Sequence, residues 1–287
     1  MEHAIQVRGL TKKYKDFTLD HISFDLPGGT IMGLIGENGS GKSTLINAVL
    51  GISASEYEQA DVLGYDISSQ GNCAREDIAA IFCDSHFDQE FTPLFLGKML
   101  ANVYKNWDQE KYLSYLERFG LPLKKRLKKM STGMRVKLEF AAALGHSPKL
   151  LVLDEATSGL DPVFRDELLD ILREFTEDEE HSVLISSHIT SDLDKIADYI
   201  AYLHEGRLQF VRPYDELQNN YGIINCGQQL FDALSRDDIA AYRKEAYSYR
   251  VLITNRQKLR QVFQDIPIEN ASIEDIMVFY VKGEKVK

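Results

Sequence analysis

The sequence predicts an α/β fold with a mixed-sheet core, an antiparallel β-subdomain ahead of it, an inserted α-helical subdomain and a small C-terminal α/β appendage. Three observations carry that expectation. An apolar run, Thr30 to Ile35, leads directly into the glycine-rich stretch GENGSGKST at Gly36–Thr44. A second apolar run ends in paired acids, LLVLDEA at Leu150–Ala156. Between the two, apolar residues recur at the three- and four-residue spacing of helices.

Taken in order, AIQVRGLTKKY and FTLDHISFDLPGG alternate in the manner of short strands, and Pro27-Gly28-Gly29 closes them with a turn. Thr30–Ile35 is the next strand. The helix after the glycine-rich loop runs from about Lys42 to Leu50, so the loop sits between a strand and a helix. From about Phe95 to Leu144, KMLANVYKNW, EKYLSYLERFG and RVKLEFAAALG form the inserted helical subdomain, about residues 95–144. LLVLD is then a buried strand, Asp166–Phe175 a helix, SVLIS a strand and Ser191–Tyr199 a helix, an order that suits parallel strands joined by crossovers. A boundary near Asn220 separates a domain of residues 1–219 from an appendage of residues 220–287, which holds YRVLITN, the helix candidate RQKLRQVFQ and IEDIMVFYV. The appendage either packs on this domain, packs on a second copy, or is an extension that completes the core.

Composition sets outer bounds. Apolar residues at 44% and charged residues at 27% describe a soluble globular chain, with no low-complexity tract that argues for disorder. The net charge of −11 argues against a protein that wraps nucleic acid, and no direct nucleic-acid partner is expected. No apolar stretch reaches the roughly 18 residues that cross a bilayer. The opening MEHAIQVRG has neither the basic head nor the apolar core of an export signal, so the chain is expected to stay inside the cell. Cys73, Cys83 and Cys226 are odd in number and far apart, which favours buried reduced thiols over disulfides or a clustered metal site.

Gly36–Ser43 fits Gly-x-x-x-x-Gly-Lys-Ser, in which the backbone N–H groups of a loop face phosphate oxygens. Gly36, Glu37, Asn38, Gly39, Ser40 and Gly41 form the expected cradle; Lys42 reaches the outer phosphates, Ser43 holds magnesium and Thr44 lines the same helix N-terminus. Small-molecule kinases and GTPases use such a loop too, so it establishes nucleotide binding and leaves the reaction open. LLVLDEA narrows the choice. Asp154 should emerge at the carboxyl end of a buried strand, where its charge organises magnesium directly or through water. Glu155 is placed to orient or deprotonate an attacking water; the plainer alternative is that both acids cap the next segment. His188, after SVLISS, is either a contact to the terminal phosphate or an ordinary histidine at the core edge.

Over Ala4 to about Gln218 these motifs, together with SGLD at Ser158–Asp161 and SSH at Ser186–His188, resemble in order and spacing the nucleotide-binding subunits of ATP-binding cassette (ABC) transporters. The resemblance implies a P-loop NTPase with a RecA-like core that uses ATP and Mg2+. It implies Glu155 as the base, Lys42 as the charge stabiliser, His188 as the terminal-phosphate contact, and Ser43 and Asp154 as magnesium organisers. Tyr14, in LTKKY, would stack on adenine, since an aromatic face needs no exact polar match; a surface tyrosine is the alternative. Asp161 belongs to a loop resembling the one that communicates between paired sites. The family signature Leu-Ser-Gly-Gly-Gln stands here as Met130-Ser131-Thr132-Gly133-Met134. Ser131 and Gly133 would therefore meet the γ-phosphate of a second subunit at the positive end of a helix.

The sequence also departs from that family. Thr132 and Met134 replace a glycine and the glutamine of the signature, implying slow or partner-dependent hydrolysis. In IAAIFCDSHFDQEFT, Cys83 falls where the family has a glutamine that senses the γ-phosphate and the membrane partner, and Gln89 comes later. The run KKRLKK either balances phosphate charge, faces lipid, or is a solvated basic helix end. The expected protein is the ATP-hydrolysing subunit of a transporter, peripheral on the cytoplasmic side of the membrane. As a homodimer, or with a related second ATPase subunit, it would close head to tail and drive a separate multi-span permease. The short helical insert and the ending ASIEDIMVFYVKGEK resemble exporters of peptides, antibiotics or lipid-like molecules. The rival readings are a soluble ABC ATPase that remodels a macromolecular complex and a regulatory ATP-binding module with little hydrolysis.

Overall fold

Apolar strands that feed two cores at once organise the structure. The computed structural model describes residues 2–82, 87–263 and 266–285. β1 (His3–Lys13) and β2 (Thr18–Pro27) pair antiparallel and are followed by β3 (Ile31–Ile35) and α1 (Lys42–Val49). β4 (Gln59–Val62) and β5 (Tyr65–Asp66) complete an antiparallel sheet in the order β2-β1-β4-β5. The short α2 (Gly71–Ala74) leads into β6 (Ile78–Ile81), and the helical insert follows as α3 (Pro93–Leu100), α4 (Gln109–Arg118) and α5 (Thr132–Gly145). β7 (Leu150–Asp154), α6 (Pro162–Thr176), β8 (Ser182–Ser186), α7 (Thr190–Ile196), β9 (Tyr199–His204) and β10 (Arg207–Pro213) come next. They complete a mixed sheet ordered β10-β9-β3-β8-β7-β6, parallel apart from β10.

Strands β3, β7 and β8 are buried along their whole length, as a parallel sheet covered on both faces requires. Alternate side chains leave opposite faces. Met32, Leu34, Leu150, Val152 and Leu184 pack with Leu45, Ile46 and Val49 of α1 and with the antiparallel sheet. Ile31, Leu151, Leu153, Val183 and Ile185 enter the other core, with Leu168 of α6, Leu193 of α7, and Leu138 and Phe140 of α5. Each such side chain, fully buried, stabilises the fold by about 1.5–3 kcal/mol.

Three helix ends differ from the sequence expectation. KMLANVYKNW is helical only as far as Leu100, because Asn102 turns its amide back to Lys98 O (2.7 Å) and the Glu76 carboxylate takes the N–H groups of Lys105 and Asn106. α6 starts at Pro162 rather than Asp166: Asp161 caps it, accepting from Phe164 N at 3.0 Å, and proline suits the first helical position. The helix expected over Ser191–Tyr199 stops at Ile196. Asp198 exchanges two 2.8 Å bonds with the backbone of Ile31, its N–H reaching Ile31 O and its carboxylate accepting from Ile31 N, and this draws Tyr199 into β9 beside β3. Of the cysteines expected to be buried, Cys226 is; Cys73 is exposed, on the solvent-facing α2.

After α8 (Tyr214–Asn220) the chain forms β11 (Gly222–Cys226), α9 (Gln228–Ala233), β12 (Ile239–Lys244), β13 (Tyr249–Ile253), α10 (Arg256–Val262), β14 (Ile268–Asn270) and α11 (Ile273–Lys282). The strands make an antiparallel sheet ordered β12-β13-β11-β14. One face buries Ile224, Val251 and Ile253 with Leu259 of α10. From the other face, Ile223 and Leu252 join Ile273, Ile276 and Phe279 of α11 in the same core as the mixed sheet. Tyr280 packs edge-on against Tyr202 and Phe210, with ring centroids 5.7 and 5.4 Å away. The tail thus packs on its own chain, with α11 as the joint. A Ser272–Asp275 capping box fixes where α11 begins.

Phe279 is 1% exposed in that joint. Phe279→Ala should destabilise the protein by about 3–5 kcal/mol, measured as a lower urea midpoint; an unchanged midpoint would mean α11 is not a structural joint.

Candidate functional site

The loop leaving β3 is shaped for close approach. A Cβ on Gly36 would stand 2.3 Å from Leu203 O, so only glycine fits without moving backbone. Gly41 has φ +107°, a conformation that side chains disfavour, and it precedes the first turn of α1 without supplying a side-chain cap. The N–H groups of that turn therefore face outward with the positive end of the helix, an arrangement suited to an anion. Ser40 is buried, and its hydroxyl has no hydrogen-bond partner among the described residues.

Lys42 is only 5% exposed, and its ammonium is held by three oxygens. It donates to Gly36 O (2.9 Å) and Glu37 O (3.1 Å) and lies 3.6 Å from Glu155 Oε1. A buried cation needs such partners, because desolvation otherwise drives it to lose its charge. The other carboxylate oxygen, Glu155 Oε2, lies 3.8 Å from His188 Nδ1. Glu155 is thus the centre of a row formed by Lys42, Glu155 and His188.

The neighbouring strand ends hold Glu155 there. Ser186, at the end of β8, donates its hydroxyl to Asp154 Oδ1 (2.6 Å), and Ser186 Oγ in turn accepts from Glu155 N (3.0 Å). Glu155 N also reaches Ser186 O at 3.1 Å. These bonds hold Glu155 at φ +53°, a left-handed conformation that costs a non-glycine residue about 1–2 kcal/mol. Asp161, not Asp154 or Glu155, caps α6, so the capping alternative for the two acids does not hold. Half-exposed His188 faces a carboxylate, unlike a histidine that fills a core edge.

Lys42, Asp154, Glu155 and His188 are therefore gathered at the carboxyl ends of β3, β7 and β8, where open α/β sheets bind ligands. Ser43 is exposed on the first turn of α1, with Thr44 beside it. Among the described residues, Tyr14, Ser131, Gly133 and Asp161 are not brought into that row. Tyr14 is half exposed beyond β1, with Lys12 Nζ 5.3 Å from its ring centroid. Ser131 caps α5, accepting from Met134 N at 3.2 Å, and a Cβ on Gly133 would meet nothing within 4 Å. Met134 packs against the core. Gln89 Oε1 accepts from Arg135 of α5 (3.2 Å), while Arg126 and Lys128 of the basic run pair with Glu90 at 2.8 and 2.6 Å. That run is therefore partly neutralised within the chain. Cys83 lies outside the described residues.

Sequence reasoning took SSH only for its histidine and missed Ser186. The signal was a polar residue ending an apolar strand, although its partner strand is fixed only by the fold. It also passed over His204, whose Nδ1 lies 3.6 Å from Glu37 Oε2.

The residues present fit a magnesium nucleotide. The loop offers uncapped N–H groups to phosphate, while the Ser43 hydroxyl and Asp154 carboxylate are the hard oxygen donors that Mg2+ prefers. Fold and site together define a P-loop NTPase with a RecA-like mixed sheet.

Comparison with known proteins specifies the type. The family model described as ABC transporter matches residues 19–158. The bacitracin transport ATP-binding protein BcrA of Bacillus licheniformis is 32% identical over 225 residues, spanning 76% of this chain and 72% of that protein. The ABC transporter ATP-binding protein YtrB of Bacillus subtilis (strain 168) is 25% identical over 296 residues, 98% of this chain and 99% of that protein. A solved structure of the ATP-binding subunit of an ABC transporter superposes with a TM-score of 0.70 at 25% identity, covering 75% of this chain and 92% of the other. The chain belongs to the ATP-binding subunits of ABC transporters. It is an ATP hydrolase whose reaction is coupled to transport, and ATP with Mg2+ is the requirement of its family.

Ser186→Ala removes the hydroxyl that orders both Asp154 and Glu155. Phosphate release should slow by about tenfold or more, since a disturbed buried bond costs about 1–3 kcal/mol and 1.4 kcal/mol is tenfold in rate. Circular dichroism should be unchanged; wild-type turnover would refute this reading of Ser186.

Proposed function

We propose that two copies of this chain, or this chain and a related mate, close head to tail. Each ATP is then held between the phosphate loop of one subunit and Ser131–Gly133 of the other. The pair works from the cytoplasmic face of the membrane on a separate multi-span partner and drives export of a peptide, antibiotic or lipid-like molecule. No helix among the described residues is long and apolar enough to cross a membrane, so the passage for substrate is assigned to that partner. Closure changes the contacts offered to the partner, which is what shifting a conformational equilibrium requires. Residues 1–219 carry the ATPase, with its helical part at about residues 95–144, and residues 220–287 are the appendage.

One observation carries the hydrolytic part: Glu155 is the shared partner of Lys42 and His188. Incoming phosphate oxygens compete for Lys42, which leaves the oxygens of Gly36, Glu37 and Glu155 for the γ-phosphate. Glu155 is then freed to accept a proton from the attacking water, and His188 contacts the terminal phosphate. The N–H groups of Gly36–Thr44 bind the remaining phosphates, and Tyr14 stacks on adenine. Ser43 and Asp154 would hold Mg2+, which supplies charge neutralisation on the phosphate oxygens when bound.

The transport class rests on the relatives. BcrA is named for bacitracin transport, which favours an antibiotic-like substrate, and the match to YtrB runs through the appendage, so at least one such subunit carries a similar part. A second reading, slow hydrolysis awaiting a partner, is favoured by the signature segment: Ser131 already caps its own helix, and Met134 is turned to the core.

Glu155→Gln should keep ATP affinity, lose most turnover and accumulate a closed dimer in size-exclusion chromatography with ATP. Lys42→Ala should weaken binding of a fluorescent ATP analogue. Unchanged turnover in the first or unchanged affinity in the second removes the corresponding role.

A further inference from the structure

Asp192 and Arg165 form a buried pair that the chemistry above does not use. Asp192 lies on the first turn of α7, four residues after His188, and is 4% exposed. Its Oδ2 and Arg165 Nε are both buried without a hydrogen-bond partner among the described residues, yet they lie 3.9 Å apart. Arg165 stands on α6, four residues after Asp161, and its Nη2 donates to Leu160 O at 3.1 Å. One guanidinium therefore touches both the loop Ser158–Asp161 and the helix that carries the segment after His188. Burial raises the Asp192 carboxyl above the usual range, and Arg165, Lys195, the Thr157 hydroxyl and His188 oppose that rise.

We propose that Arg165 and Asp192 are positioning residues that link the arrangement of the loop Ser158–Asp161 to that of His188. The proposal rests on the roles given above to His188 and to that loop. The guanidinium is a planar fork with its donors fixed relative to one another, so a shift of the Leu160 carbonyl turns the arm that faces Asp192. Leu168 and Leu193 already place α6 and α7 in one apolar core, and a buried ion pair is weak evidence of a stabilising role. The pair is better suited to setting geometry than to holding the helices together.

The test is a double-mutant cycle with Asp192→Asn and Arg165→Met, following kcat, KM for ATP, affinity for a fluorescent ATP analogue and thermal midpoint. Asp192→Asn should lower kcat about tenfold, with KM and affinity within about twofold, and the double variant should be no slower than the worse single variant. Arg165→Lys, which keeps the charge but not the fork, should fall between wild type and Arg165→Met and serves if Asp192→Asn fails to fold. Unchanged kcat, rate losses that multiply in the double variant, or a loss matched by equal loss of affinity would each overturn the proposal. Glu155→Gln measured alongside separates the two claims. An active Glu155→Gln sinks the assignment of the site, whereas an inactive one beside a normal Asp192→Asn sinks only the link.

Discussion

A buried ammonium that must be satisfied governs the arrangement of this site. Lys42 sits on the first turn of α1 where water hardly reaches it, and its ammonium is met by Gly36 O, Glu37 O and Glu155. Two of those oxygens belong to its own loop; the third arrives from the end of β7. β8 lies between β3 and β7 and contributes Ser186, whose hydroxyl engages both acids of the β7 end. The strand order β3-β8-β7 is thus what allows one lysine, one serine and two acids to meet. Under the proposed mechanism, a polyphosphate entering the loop would compete for the ammonium that lies beside Glu155, which would make nucleotide binding and the freeing of a base one event.

The remaining architecture fixes the surroundings of that event. Each apolar strand feeds a core on either face, which leaves its carboxyl end as the place where polar groups emerge. The helical insert is tied to the segment that follows Cys83 by Arg135 to Gln89 and by Arg126 and Lys128 to Glu90. On the opposite edge, α11 draws the tail sheet against β9 and β10 through Tyr280, Tyr202 and Phe210. Its residues Glu274, Met277 and Val281 line a cleft with Glu37, His188 and Ser191, so the tail borders the candidate site.

Much of this was legible because its signals are local. A strand buried on both faces is a continuous apolar run, and the glycine-rich loop announces itself by composition, so β3, β7, β8 and Lys42, Asp154 and Glu155 could be placed by reading along the chain. What escaped depends on distant partners. The end of α7 is set by Asp198 bonding to Ile31, 167 positions away. Ser186 gains meaning only from β7 lying beside it, and the Arg165–Asp192 pair only from α6 packing near α7. ASIEDIMVFYVKGEK stands out in the sequence only as an exporter-like ending; that it forms α11, and which core its apolar face joins, is set by packing against distant strands. Side-chain competition ended α3 at Leu100, where periodicity alone continued it.

The central claim of the proposed function is that this ATPase works on a separate multi-span membrane partner. The most direct measurement is quantitative mass spectrometry of what co-purifies with the tagged chain from detergent-solubilised native membranes. The account predicts a multi-span protein in fixed stoichiometry with the chain. Recovery only in the soluble fraction, in fixed ratio with a soluble protein or a ribonucleoprotein, would contradict it.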